Sequence, residues 1–429
     1  MPGFQDLYAF CLPYFHILLD WVYRVVFRTR LSPLTEESLW RKFTVEERRV
    51  ILSEDLTRRW WYEGFCILLK CYREDETLSV AGRKVVETRW TEVLQNRLAI
   101  SRRLVSVDIS VCQIKKPIFI IGPARSGTTF LLNLLYEDPG NTSPRYYETM
   151  HPVEEVTVEG KERRLMTEQR ALAAVYKEMP EMKAQHYIHA DRAYECYHLM
   201  DQMGLFKNFR LLTGNFQEYE AWQITLTKDQ MVEVYRFHKL QMQLILLGRS
   251  KDSFENNQQL VFKESTHAMN LEAILTVYPD ALFINTYRDP CEATASNMSL
   301  CEACMISLGY EPKDIDLGLI GQDKLRCPLV NGGNEMVKFR KSHPEEEHRF
   351  CDIDYKDIVG SPMAVVRQIY KFFGLRLTSE GEAKMSAYVR EHPQNKYGRH
   401  KYDLKRYKMT EEEVMEYLKE YVGFYKSRQ

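Results

Sequence analysis

Residues 117–136 read PIFIIGPARSGTTFLLNLLY. A run of β-branched and aromatic apolar residues enters Gly122–Thr129, and a leucine-rich segment leaves it. That order predicts a buried strand, a glycine-containing turn and a helix. Glycine lets backbone N–H groups turn inward without a Cβ clash, and the start of the following helix offers unpaired donors at the positive end of its dipole. A loop of this kind cradles phosphate or sulfate.

The spacing fits the phosphate-loop pattern G-x-x-x-x-G-K-[ST], except that Thr128 occupies the lysine position. The loop therefore lacks the cation that reaches the terminal phosphates of a nucleoside triphosphate, and Arg125 lies inside it instead. With Arg125, Ser126, Gly127, Thr128 and Thr129 in this order, the stretch resembles the 5′-phosphosulfate loop of sulfotransferases that use 3′-phosphoadenosine-5′-phosphosulfate (PAPS). More narrowly, it is similar to the broad, bacterial-type family with arginine in the loop. The resemblance covers about residues 116–425. It implies an α/β, P-loop-like three-layer fold, with a central parallel sheet flanked by helices and an added N-terminal helical region.

A second motif follows about 160 residues later in ALFINTYRDPCEATASNMSL. Ala281–Tyr287 reads as a strand, with Asp289 and Pro290 as N-cap and first helical position. Arg288 then stands at the strand end and Ser296 in the first turns of the helix. A guanidinium fork binds phosphate in bidentate fashion, and a nearby hydroxyl adds a donor. The arrangement is similar to the site that grips the 3′-phosphate of PAPS. LVFKESTH, residues 260–267, predicts a further strand ending in Lys263, and strand ends of an open α/β sheet face the ligand crevice. The family has a lysine here and a histidine four residues on, matched by His267; an edge salt bridge is the alternative for Lys263.

The resemblance also supplies acceptor-side expectations. Tyr147-Glu148, with Pro152 following, matches an aromatic–Glu pair, which makes Glu148 the expected general base and nearby His151 its rival. Glu195-Cys196 matches a Glu-Cys pair, with His186 and His189 upstream as acid/base or pocket-shaping groups, or as structural histidines. Gly398, His400 and Tyr402 match a Gly-x-His-x-Tyr element. There Lys396, Arg399 and His400 form a basic loop that either closes over the 3′-phosphate or is simply solvated. The implied reaction is transfer of a sulfonate from PAPS, leaving PAP, to a hydroxyl or amine of a small, hydrophobic acceptor, with no metal required. Two rivals stand: a P-loop nucleotide kinase or NTPase, and a non-catalytic nucleotide-binding scaffold.

Composition bounds the rest. The chain has 429 residues, is 45% apolar and 28% charged, and carries a net charge of −1, so any anion site is local and nucleic acid is not an expected partner. Ten cysteines show no disulfide-like framework, which suits a reducing compartment and a cytoplasmic protein; Cys301 and Cys304 form a lone C-x-x-C. The segment 7–27 is strongly apolar, but His16, Asp20 and Arg24 form one polar stripe. A mid-span charge is expensive in lipid, and no cleavage site follows. The expectation is a helix on a membrane surface or docked on the body, with a Golgi signal-anchor as the less favoured alternative. Residues 1–110 are assigned to the N-terminal helical region and 111–429 to the sulfotransferase domain, with a helical acceptor-side insertion at about 150–258. Residues 305–344 read as irregular, a candidate lid, and a homodimer is compatible with the chain.

Overall fold

The computed structural model describes residues 30–54, 57–153, 158–206, 216–249, 258–326, 328–393 and 403–428. The apolar segment 7–27 and the basic loop with Lys396, Arg399 and His400 lie outside them. Among the described residues no helix is long and apolar enough to cross a membrane. The chain divides into two compact units. One takes the described parts of Met1–Arg102, Asp201–Thr225 and Cys304–Ile315; the other takes those of Arg103–Met200, Leu226–Ala303 and Asp316–Gln429.

The first unit is helical, as the three- and four-residue apolar spacing of its sequence predicts. Its main elements are α1 (Trp60–Glu74) and α2 (Val80–Leu104). Trp61, Phe65, Tyr72 and Trp90 from these helices are fully buried with Phe206 and Tyr219. Trp90 stacks on Phe206 with centroids 4.3 Å apart, and the Arg97 guanidinium lies 3.8 Å over Trp61. Buried charge is satisfied locally: Arg89 pairs with Asp201 at 2.6 Å, and Arg97 donates to the Gln202 carbonyl and the Thr57 hydroxyl. Trp61 is core.

The second unit is built on five parallel strands: β1 (Ile118–Ile121), β2 (Asn141–Thr142), β3 (Gln259–Lys263), β4 (Leu282–Tyr287) and β5 (Phe350–Asp354). Their order is β2-β3-β1-β4-β5. Every residue of β1 is buried, as expected for a central strand covered on both faces. On one face Ile118 and Ile120 pack against Leu131 and Leu135 of α3 (Thr128–Tyr136) and Val366 and Ile369. On the other, Phe119 meets Phe262, Tyr278 and His267 with centroids 5.0–5.5 Å apart. Because all strands run the same way, the loop after β1, Lys263 at the end of β3 and Arg288 after β4 leave the sheet at its carboxyl edge. There the chain order reverses across β1, the crevice in which open α/β sheets bind ligands.

Two local expectations can be compared with their elements. Asp289 caps the helix after β4: its carboxylate accepts from the Glu292 N–H at 2.9 Å, and the helix runs Pro290–Ser307. A capping box of Thr410 and Glu413 starts a helix that stops at Tyr417, and a second runs Lys419–Lys426. The irregular lid is corrected. Residues 317–326 and 328–342 are helical, and Gly332-Gly333 lies inside the second helix. These glycines serve close packing rather than a loop, since a Cβ on Gly333 would lie 2.8 Å from the Tyr421 ring.

Candidate active site

The loop after β1 adopts the conformation its glycines permit. Gly122 has φ +130° and Gly127 φ +86°, both in regions that resist a side chain. A Cβ on Gly122 would also collide with the Thr286 carbonyl on β4, so loop and strand approach only because it is absent. Arg125 has φ +71° without being glycine. Such a conformation costs of order 1–3 kcal/mol and is held only where the surroundings over-determine it. Ser126 supplies part of that hold. Its hydroxyl donates to the Pro123 carbonyl at 2.6 Å and lies 2.6 Å from the Thr286 hydroxyl, fully buried. This side chain braces the loop instead of facing a ligand, which leaves Ser126 at most a backbone role. Gly127 is the N-cap of α3, and Thr128 and Thr129 open the helix. The first N–H groups of a helix have no intrahelical acceptor, so α3 aims donors and its dipole at the loop.

Two cationic groups meet on this loop. Arg288 donates from Nη1 to the Arg125 carbonyl at 2.9 Å, across 163 residues of sequence. Arg125 in turn donates from Nε to the Ser296 hydroxyl at 3.0 Å and from Nη1 to the Gln185 carbonyl at 2.9 Å. Arg288 is held from all sides: its guanidinium lies 4.2 Å over Tyr355, Nη2 pairs with Glu292 at 2.9 Å, and Tyr421 bonds both its backbone N–H and C=O. The loop arginine and the Arg-x7-Ser pair are therefore linked by direct hydrogen bonds.

Lys263 adds a third cation. Buried at the end of β3, it donates to the Thr129 hydroxyl at 3.2 Å and forms an ion pair with Glu195. Lys263 thus lies beside the loop and in a buried ion pair, on a strand flanked by β2 and β1 and not at an edge. Glu195 is the residue sequence reading left without a role. The Glu-Cys match drew attention to it, but its partner lies 68 positions away and nothing local announces that pairing.

Glu148 is the expected general base. It sits in the short helix Tyr146–Met150 with its carboxylate clamped by two arginines. Arg249 donates at 2.9 and 2.6 Å, the Arg145 side chain at 2.7 Å and the Arg145 N–H at 2.8 Å. Burial alone would raise its pKa, but the Arg249 and Arg145 charges outweigh that and hold it down at about 2. A carboxylate with both oxygens bound and so low a proton affinity is a poor general base; it ties the segment after β2 to Arg249, which also donates to the Thr142 hydroxyl. His151, its rival, is 3.0 Å from the Glu168 carboxylate. Of the two other histidines, His186 follows the Gln185 carbonyl that holds Arg125 and lies 3.5 Å from the Tyr194 hydroxyl. His189 accepts from the Asp191 N–H within its own turn.

With this geometry in place, comparison with known proteins is informative. A model of the family described as "Sulfotransferase family" matches residues 117–379. Two curated relatives, named omega-hydroxy-beta-dihydromenaquinone-9 sulfotransferase Stf3, come from Mycobacterium bovis and Mycobacterium tuberculosis. Each is 25% identical over 288 residues, covering 66% of this chain and 68% of the relative. Among solved structures, sulfotransferase STF1 from Mycobacterium tuberculosis H37Rv has a TM-score of 0.72 at 24% identity, covering 91% of this chain and 99% of that one. Sulfotransferase STF9 from Mycobacterium avium has a TM-score of 0.76 at 21% identity, covering 91% and 96%. At these identities the two structures speak for the fold.

Proposed function

The chain belongs to the sulfotransferase family, and on that premise we propose that its donor is PAPS and its acceptor a hydroxyl or amine on a small, apolar molecule. The observation that carries the donor assignment is the Arg288–Arg125–Ser296 chain of hydrogen bonds. An anion grip at the loop and another after β4 belong together if one molecule carries anionic groups at two ends, as a 3′-phosphorylated adenosine phosphosulfate does. A nucleoside triphosphate has no need of the second grip, and its loop would carry lysine at Thr128. The apolar acceptor rests on the names of the mycobacterial relatives, which act on a menaquinone-derived alcohol.

Bound on the loop, PAPS supplies an activated sulfonate and a phosphate leaving group. The chain's residues do the rest. The N–H groups at the start of α3, with Thr128 and Thr129, hold the phosphosulfate, in the loop conformation that Gly122 and Gly127 permit. Arg125 and Lys263 neutralise charge that grows on the departing phosphate. Arg288 and Ser296 bind the 3′-phosphate and so select this donor. Lys263 bridges Thr129 and Glu195, and an anion on the loop competes for its ammonium. Glu195, its hold on Lys263 loosened, takes the acceptor's proton as the oxygen–sulfur bond forms, in the role sequence reading gave to Glu148. Positioning and preorganised charge carry most of the acceleration.

The test is calorimetric binding of PAP beside ATP and AMP, followed by labelled-sulfonate transfer to a panel of apolar alcohols. Preference for PAP with transfer is expected. Equal or tighter binding of ATP would return the assignment to a nucleotide kinase, and PAP binding without transfer to any acceptor would leave a scaffold.

A further inference from the structure

Directly behind the Lys263–Glu195 pair, three side chains capable of binding a metal converge in the interior: Cys196, His238 and His267. Their ligand atoms all lie within 4.8 Å of one another, and all three residues are buried, none more than 1% exposed. They come from three separate segments. Cys196 follows Glu195 and donates its N–H to the Lys263 carbonyl at 3.0 Å; His238 lies on the helix Lys228–Gly248; His267 lies in the turn after β3.

Both imidazoles are oriented by tyrosine hydroxyls through their Nδ1 atoms. Tyr278 lies 3.0 Å from Nδ1 of His238, and Tyr235 lies 2.9 Å from Nδ1 of His267. Metal-binding histidines are commonly set in this way, with one ring nitrogen held by an outer partner that fixes tautomer and ring plane. For His238 the remaining nitrogen, Nε2, is buried without a hydrogen-bond partner.

We propose that Cys196, His238 and His267 form a structural metal site, and that its ion is zinc(II). One thiolate and two imidazoles are borderline-to-soft donors that suit zinc and exclude magnesium and calcium, which require oxygen. Binding releases the Cys196 thiol proton to solvent and forms one zinc–sulfur and two zinc–nitrogen bonds, and a water that enters with the ion completes the tetrahedron. With bond lengths of about 2.3 and 2.0–2.1 Å, the three ligand atoms must draw together by roughly 1 Å, within reach of side-chain rotation. The site pins Cys196 and the turn after β3, the two backbone segments that present Glu195 and Lys263. It is thereby a scaffold for the catalytic pair and takes no part in sulfonate transfer, so it stands whether or not the PAPS reading does.

The experiment is elemental analysis of the full-length chain, tag removed and purified without chelator. About one zinc ion per chain is expected, falling to roughly a tenth or less in Cys196→Ser and His238→Gln. If these variants do not fold, Tyr278→Phe and Tyr235→Phe keep the ligands and should weaken zinc about 10- to 100-fold in a competition titration. Cobalt(II) substitution should give a thiolate charge-transfer band in wild type, and metal-stripped wild type should gain thermal stability when zinc is restored. Substoichiometric zinc together with no stabilisation on zinc addition overturns the site, and so does a full complement of zinc in folded Cys196→Ser.

Discussion

Replacing Arg288 by alanine separates the two anion grips. The side chain is 9% exposed, lies over Tyr355, and donates to the Arg125 carbonyl. In the proposed complex it also makes a charge-assisted bond to the 3′-phosphate. Such a bond is worth about 1.5–3 kcal/mol, or about 12- to 150-fold in affinity at 1.4 kcal/mol per decade. Loss of the Arg125 contact complicates a bare affinity, because a loosened loop weakens every nucleotide. The ratio of PAP to AMP affinity removes that contribution, since AMP uses the loop and lacks the 3′-phosphate. Isothermal titration of both ligands on wild type and Arg288→Ala should show the ratio falling at least tenfold. A ratio within about twofold of wild type, with the variant folded by circular dichroism, refutes the assignment of Arg288 to the 3′-phosphate.

The remaining outcomes follow from the same geometry. Glu195→Gln should lower kcat by about 10²–10⁴ and remove the acidic limb of the pH profile while PAP affinity holds, as expected for loss of a general base; unchanged turnover excludes it from that role. Glu148→Gln should instead destabilise the fold by about 3–5 kcal/mol at neutral pH, because Arg145 and Arg249 lose a buried counter-charge; chemical denaturation measures this. The Glu148 carboxyl is depressed to about 2 from 4.5. Its contribution is therefore fully present above about 4.5 and fades as pH falls towards 2, so the stabilities of wild type and Glu148→Gln should converge over that interval and not on the alkaline side. Gly122→Ala should abolish PAP binding and lower the melting temperature, since the new Cβ meets the Thr286 carbonyl at φ +130°; near-wild-type binding would show that the loop tolerates displacement.

Much of the site was legible because its signals are local. A strand read as continuous apolar run, two glycines at fixed spacing and a leucine-rich helix define the loop within twenty residues, and Asp289-Pro290 marks a helix start by its own chemistry. The failures have one character. Gly332-Gly333 reads as a break in isolation, yet in the fold both lie inside a helix and the absent side chain of Gly333 admits Tyr421. Glu148 reads as an available carboxylate, yet Arg249, 101 positions away, closes on it.

From the order of residues alone follow the strand, glycine turn and helix at 117–136 and the strand and capped helix around Arg288, because backbone torsion, apolar periodicity and capping act over a few neighbouring positions; the parallel sheet and the joining of the two motifs in one site came with the family resemblance. Folding decided which charges meet: Arg288 with the Arg125 carbonyl, Lys263 with Glu195, Glu148 with two arginines. A carboxylate's chemistry depends on its burial and on ionised groups within a few ångströms, and those neighbours arrive from remote parts of the chain only when the sheet and its covering helices have assembled.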